Sequence, residues 1–570
     1  MQTQPLNIPT KLLIAIALVQ GLILLLLHQS IEFKFWPYQS PQWLFSFYSI
    51  ALVGPLLLLL SLNQNNTKAI LKWAVPFTLI AGLTGYYVGY QKTPLPHLHS
   101  GDLLAIYVMT MTVATFKALM YTQQFSVSKQ VNYSQLFRWS WRNFLTLALA
   151  LLFTLCFWGV LMLWAGLFKA IKINLFYDLF TESWFYYPAL SLAHGMGIVL
   201  FRRQFSIIDT IARIQQTLMK FLLVVLIFIS MLFLSTLPFT GLDVLWQSGG
   251  SSLILWMQAL ILFAVNAVYQ DDPDTHPYPV WLHRYIYAGI ALLPIYSLIS
   301  FYGLSLRVEQ YGWSIARCWA FLLWGLLALF AAGYLLGIIR HRDRWLDQLS
   351  WVNVRMGIVL LVTLLMINSP LVDFRKISVN SQLARLESNE VSLKEFDLSY
   401  FRYNLERPGY EALMALKKEI AESDPDIALN ITRLYRNFND DEVSFSKEEF
   451  AKAVHVVNGT APDDLMEALY QHVKSQRLWG RYTPKYSIYP IDLDENGELE
   501  YLFVQNSYSV FFTLYYLEGS RWKSQSMQFT KGKGTGKPEL LLEKLKSNDF
   551  ELEKPKWRNI KAEGMTLKMQ

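Results

Sequence analysis

The sequence predicts an all-α polytopic membrane bundle of about eleven transmembrane helices, followed by a soluble α+β domain. Three observations carry that prediction. Mean hydropathy is +0.26 over 570 residues, of which only 16% are charged. The charge is divided unevenly: residues 1–370 hold 22 Lys/Arg and 12 Asp/Glu, whereas residues 371–570 hold 28 and 31. Long apolar runs fill the first part and are missing from the second. The predicted boundary therefore falls at 370/371, with a transmembrane domain at 1–370 and a soluble domain at 371–570.

A bilayer core about 30 Å thick is crossed by about 20 mostly apolar residues in a helix. Eleven runs qualify: Leu12–Leu27, Trp43–Leu62, Ile70–Tyr90, Leu103–Met120, Phe144–Phe168, Trp184–Phe201, Phe221–Leu237, Leu253–Tyr269, Tyr285–Leu304, Ile315–Ile339 and Trp351–Ile367. The first and last are short, so ten to twelve brackets the count. The first could be read as a signal peptide, but no small-x-small cleavage pattern follows His28, and an uncleaved span is the expectation. None of the runs contains Asp or Glu. Because an acid at mid-membrane costs about 2.5–3.5 kcal/mol on insertion scales, this argues against a proton-coupled pump. Residues 205–219 carry Ile207, Ile208, Ile211, Ile214 and Leu218 at helical spacing. They read either as an amphipathic surface helix or as an extension of the next span.

With the N-terminus inside, fifteen Lys/Arg fall in or beside the inner loops and six in the outer ones. That positive-inside bias and an odd span count place the C-terminal domain outside, in the periplasm of a bacterial inner membrane. The pI near 9.0 belongs to these flanking charges, and no nucleic-acid partner is expected. The only cysteines, Cys156 and Cys318, lie in apolar runs, so neither a disulfide framework nor a cysteine zinc site is available to the soluble part.

Several words in the chain resemble one bacterial family, catalogued as domain of unknown function 4153. They are Leu237-Pro238-Phe239-Thr240-Gly241-Leu242, Asn266-Ala267-Val268-Tyr269-Gln270-Asp271, Tyr311-Gly312-Trp313-Ser314 with Arg317, and Ser369-Pro370 with Asp373. Ser381-Gln382-Leu383-Ala384-Arg385-Leu386, Phe396-Asp397 and Arg407-Pro408-Gly409 continue the match to about residue 415. Trp313 and Ser314 depart from the family pattern. The resemblance implies a polytopic bacterial inner-membrane protein and carries over no catalytic residue.

Within 371–570, helices are expected at Ser378–Ser388, Pro408–Glu422, Asp426–Phe438, Glu448–Val457 and Ala461–Gln476, where apolar residues recur at helical spacing. Period-two patterns at Tyr486–Leu493, Glu500–Gln505, Ser509–Leu517 and Trp522–Phe529 predict a small antiparallel sheet over about 486–530, with Asn496-Gly497 closing a tight hairpin. Lys531–Lys537 reads as a Gly/Lys loop.

Candidate sites are few. Asp492, Asp494, Asn496 and Glu500, with Gly497 at the sixth place, space oxygen ligands as short calcium loops do, and calcium takes 6–8 oxygens. The alternative is an acidic solvated turn, in which case no cofactor is needed. His97, His99 and Asp102 offer two imidazoles and a carboxylate for zinc, without a nameable fourth ligand. His194 lies near the middle of a span, where an ionisable group marks either function or a hydrogen bond to a neighbouring helix. Lys117 sits one turn from the inner end of its run and is expected to snorkel. Asp271–His276 reads as a solvated acidic loop. Gly-rich phosphate loops, zinc-protease helices and nucleophile elbows are missing from the sequence.

These readings rank three functions. First is an anchor in the lipid bilayer that presents a partner- or envelope-binding domain. Second is a transporter or flippase for a small or lipid-linked substrate, suggested by Gly82, Gly85, Gly89 and Pro55 as helix breakers. Third is a multi-span glycosyltransferase-like enzyme, disfavoured because the first outer loop offers only Glu32 as an acid.

Overall fold

In the computed structural model all eleven predicted runs are helical, because a backbone in hydrocarbon must satisfy its own hydrogen bonds. The structure describes residues 8–94, 98, 102–128, 130–203, 205–242, 250–269, 277–435, 447–475, 485–506, 510–519, 521–527, 538–547, 549–550, 560–562 and 565–567. It divides into two compact units, Met1–Ala412 and Leu413–Gln570.

The first unit opens with α1 (Thr10–Glu32), α2 (Pro41–Ser61), α3 (Thr67–Tyr90), α4 (Asp102–Val127), α5 (Tyr133–Ala170), α6 (Leu175–Thr181) and α7 (Ser183–Phe201). It continues through α8 (Phe205–Thr240), α9 (Ser251–Val268), α10 (Val280–Ala291), α11 (Leu293–Tyr311), α12 (Ile315–His341) and α13 (Leu346–Ile367). Three amphipathic helices close it: α14 (Phe374–Glu387), α15 (Leu398–Asn404) and α16 (Glu406–Glu419), the last crossing the boundary between units.

Among the described residues nine helical segments, not eleven, are long and apolar enough to cross a membrane unaided. The two remaining runs are α9, which is short, and α7, whose Trp184, Tyr186, Tyr187, Pro188 and His194 dilute its apolarity. Yet α7 lies antiparallel along the whole of α1. Arg203 Nη2 donates to Thr10 Oγ1 at 2.6 Å, Gly21 faces Pro188 and Ser191, and the His28 ring sits 5.1 Å from that of Tyr187. α10 and α11 together form one crossing broken at Leu292, where Pro294 cannot continue the ladder. Residues 205–219 are an extension of α8, which runs unbroken from Phe205.

α2 and α3 are held at backbone distance. A Cβ on Gly85 would stand 2.7 Å from the Phe45 carbonyl oxygen, and one on Gly89 would strike Pro41. Neither these glycines nor Pro55 breaks its helix; the glycines let the two helices touch. Two apolar cores result. One joins α1–α5, α7 and the end of α13, and the other joins α8–α13 around the wholly buried Trp345, Tyr296 and Tyr334.

The second unit contains α17 (Pro425–Leu434), α18 (Lys447–Ala453), β1 (Val454–Val456), α19 (Asp463–Ser475), β2 (Lys485–Ile491), β3 (Glu500–Asn506), β4 (Val510–Glu518), β5 (Arg521–Met527), α20 (Pro538–Ser547) and a ribbon of β6 (Ile560–Ala562) with β7 (Met565–Leu567). The main sheet runs β1-β2-β3-β4-β5 and is mixed, not purely antiparallel: β1 pairs parallel to β2, with Val454 opposite Tyr486. The expected helix at 448–457 ends at Ala453, since Val454 and Val456 are β-branched and favour an extended backbone. β3 is the middle strand, and its Tyr501-Leu502-Phe503-Val504 run is buried on both faces. One face packs on Phe450, Leu465, Leu469 and Val473, the other on Leu542 and Leu545 of α20. The charged edge strand β5 is exposed, and Trp522 Nε1 donates to Asp464 Oδ2 at 3.0 Å.

Candidate functional site

A set of side-chain ties lies at the end of the bundle where α13 gives way to α14. Asp373 is the N-cap of α14, accepting from Arg375 N at 2.9 Å and from Arg375 Nε at 2.8 Å. Its second oxygen accepts from the Tyr87 hydroxyl at 2.6 Å, 286 residues away in sequence. Both charges of the pair are buried, with side chains 1% and 9% exposed.

Beside it the α11–α12 turn is locked to α14. Gly312 has φ +67°, and a Cβ there would lie 2.7 Å from Arg385 Cδ and 3.0 Å from the Ser381 hydroxyl. Trp313 N donates to Ser381 Oγ at 2.8 Å, and Gln382 Nε2 donates to the carbonyls of Tyr311 and Trp313 at 3.0 and 2.9 Å. Arg317 Nη1 donates to Gly312 O at 2.7 Å, and Arg385 Nη2 to Gln310 O at 3.0 Å. Tyr400 accepts from Ile315 N at 2.9 Å, tying in α15, whose N-cap is Asp397.

A third tie fixes the start of α16. Arg407 N donates to Gln91 O at 3.2 Å, its Nη1 to Thr93 Oγ1 at 2.7 Å, and its guanidinium lies 4.0 Å from the Tyr90 ring centre. Gly409 abuts the Phe401 carbonyl, where no side chain fits. Asp373, Gly312, Arg317, Gln382, Arg385, Asp397, Arg407 and Gly409 all come from the family-like words, and together they form a collar of structural ties.

The other sequence-predicted residues fall elsewhere. Carboxylate oxygens of Asp492, Asp494 and Glu500 come within 4.8 Å of one another, the one such His/Cys/Asp/Glu group of three among the described residues. The turn from Asp492 to Leu499 is longer than a tight hairpin, with Glu495 at φ +58° and Gly497 at φ +90°. It spends its oxygens internally. Asp492 accepts from Asn496 N at 3.1 Å and Gly497 N at 3.0 Å, Glu500 from Leu493 N at 2.7 Å, and Asn496 Oδ1 from Glu498 N at 2.6 Å.

His194 Nδ1 lies 3.4 Å from the Thr154 hydroxyl of α5, an interhelical contact. Its neighbour Gly195 abuts Ala17 of α1. His97, His99 and Asp271–His276 lie outside the described residues, as does Lys531–Lys537. Arg202 reads as a flanking charge in the sequence. The structure instead buries it at the end of α2, donating to Leu59 O at 2.6 Å, Leu62 O at 2.9 Å and Asn63 Oδ1 at 3.0 Å.

Helical bundle, collar and appended mixed-sheet unit define a polytopic membrane protein. The chain belongs to the family described as Domain of unknown function (DUF4153), whose model matches residues 13–416 and so ends within α16, just past the collar. Neither a curated protein nor a solved structure matches it.

Proposed function

We propose that this protein is an inner-membrane anchor that holds its C-terminal unit in the periplasm, where that unit binds an envelope protein or a lipid-linked envelope component. The observation that carries the reading is the collar. The segment leaving the last span is fixed by a buried ion pair, a glycine turn and an arginine clamp, and this is more specific bonding than simple tethering needs. The fifteen-to-six bias of basic residues and eleven crossings, counting α7 and α9, support an inside N-terminus and an outside C-terminus. The unbroken α3 removes the helix-break argument for a transporter.

No ion is required in this reading, because backbone N–H groups already close the acidic turn; calcium at Asp492, Asp494, Asn496 and Glu500 is the competing expectation. In-cell photocrosslinking from Leu429 and Phe511, both exposed on the second unit, tests the anchor directly. Adducts with envelope proteins or lipid-linked glycans are expected, and adducts with cytosolic proteins alone would reject it.

A further inference from the structure

α4 does not end at Met120, as its apolar run suggests, but continues to Val127 through the buried Tyr121, Thr122, Gln123 and Gln124. Lys117 is therefore ten residues from the helix end. At 1.5 Å per residue that is about 15 Å from the end of α4, and the wall facing Lys117 is the first stretch of α5, which also carries Arg138 and Arg142.

Lys117 lines a cavity of about 290 Å³ between α4, α5, α9, α12 and α13, at the seam of the two apolar cores. Among the described residues its ammonium has neither a hydrogen-bond nor an ion-pair partner, and no Asp or Glu lines the cavity. The hydroxyl and amide side chains of the wall are bonded to one another or to backbone carbonyls. Tyr133 and Asn353 donate to Asn266 Oδ1 at 3.3 and 2.6 Å, Tyr121 donates to Val354 O at 2.7 Å, and Ser140 donates to Phe137 O at 2.8 Å. They shape the cavity and leave Lys117 as its one cationic donor, with the Trp141 indole beside it in the wall. The remaining wall, including Phe263, Met356 and Leu360, is apolar.

An unpaired cation in a largely apolar wall calls for an anion from outside the chain. The geometry points to this cavity as a binding site for a phosphate-bearing anion held by Lys117, with a phospholipid headgroup as the source and its acyl chain along the apolar wall.

The test uses the full chain, purified and delipidated in detergent. Native mass spectrometry and thermal unfolding are compared with phosphatidylglycerol, with phosphatidylcholine of the same chains, and with glycerol 3-phosphate alone. Phosphatidylglycerol is expected to give one retained adduct and a higher unfolding temperature than phosphatidylcholine. Lys117→Met should lower that preference about tenfold, as loss of a charge-assisted contact does, while Lys117→Arg keeps most of it. A lysine-dependent shift with glycerol 3-phosphate alone would keep the anion site and assign it to a soluble phosphate. An undiminished preference in Lys117→Met overturns the site. Should that variant not fold, phosphatidylglycerol with a photoreactive chain decides on the wild type: labels on 117–141 or 353–360 support the site, and labels only elsewhere overturn it.

Discussion

Asp373 shows what one side chain does at the collar. It caps a helix, neutralises Arg375 and accepts a hydrogen bond from the Tyr87 hydroxyl, all out of water. Asp373→Ala leaves a buried guanidinium unpaired and is expected to cost about 3–5 kcal/mol, read as a lower unfolding temperature of the full chain in detergent. Tyr87→Phe removes one hydrogen bond and should cost only about 1 kcal/mol. Gly312→Ala adds a positive-φ strain of about 1 kcal/mol to the displacement of Arg385 and Ser381, so the same assay should rank it between them. At the acidic turn, 1 mM-scale calcium or a chelator should leave the unfolding temperature unchanged; a rise of several degrees with calcium would place an ion there.

At the scale of elements, the second unit depends on its middle strand. Phe503 is wholly buried in β3, and Phe503→Ala should cost about 3–5 kcal/mol, seen as faster hydrogen exchange across β2, β3 and β4. Burial holds the His472 imidazole of α19 below its ordinary 6.5, its ring edge-on to Tyr515. The unfolded chain therefore takes up a proton first as pH falls through about 6.5, and the stability of this unit declines below that pH. His472→Gln should flatten the decline, and a decline of unchanged slope would assign it to other groups.

The elements also show which signals the sequence carries. Long apolar runs and period-two strands are local, and both were legible. β1 was not, because three residues after a helix are too short to show a period. α20 was hidden by its charges, and the end of α4 by Gln123 and Gln124, which pair inside the bundle with Asn143 and the Gln130 carbonyl where a polar run suggests an interface. The collar was half legible: its words stand out as family-like, but the Tyr87–Asp373 and Arg407–Thr93 contacts join distant segments through tertiary packing alone.

On the scale of the whole molecule, sidedness decides what the second unit can meet. α1 begins at the end of the bundle that holds Arg202 and Arg203, and the collar stands at the end where α3 and α11 finish. If the basic end is cytoplasmic, the collar faces the periplasm, as the proposed anchor requires. The most direct measurement is a set of alkaline phosphatase and green fluorescent protein fusions after Ile367, after Ser388 and at Gln570. Active phosphatase with dark fluorescent protein at all three is the predicted result. Fluorescent protein with inactive phosphatase would put the second unit in the cytoplasm and contradict the anchor.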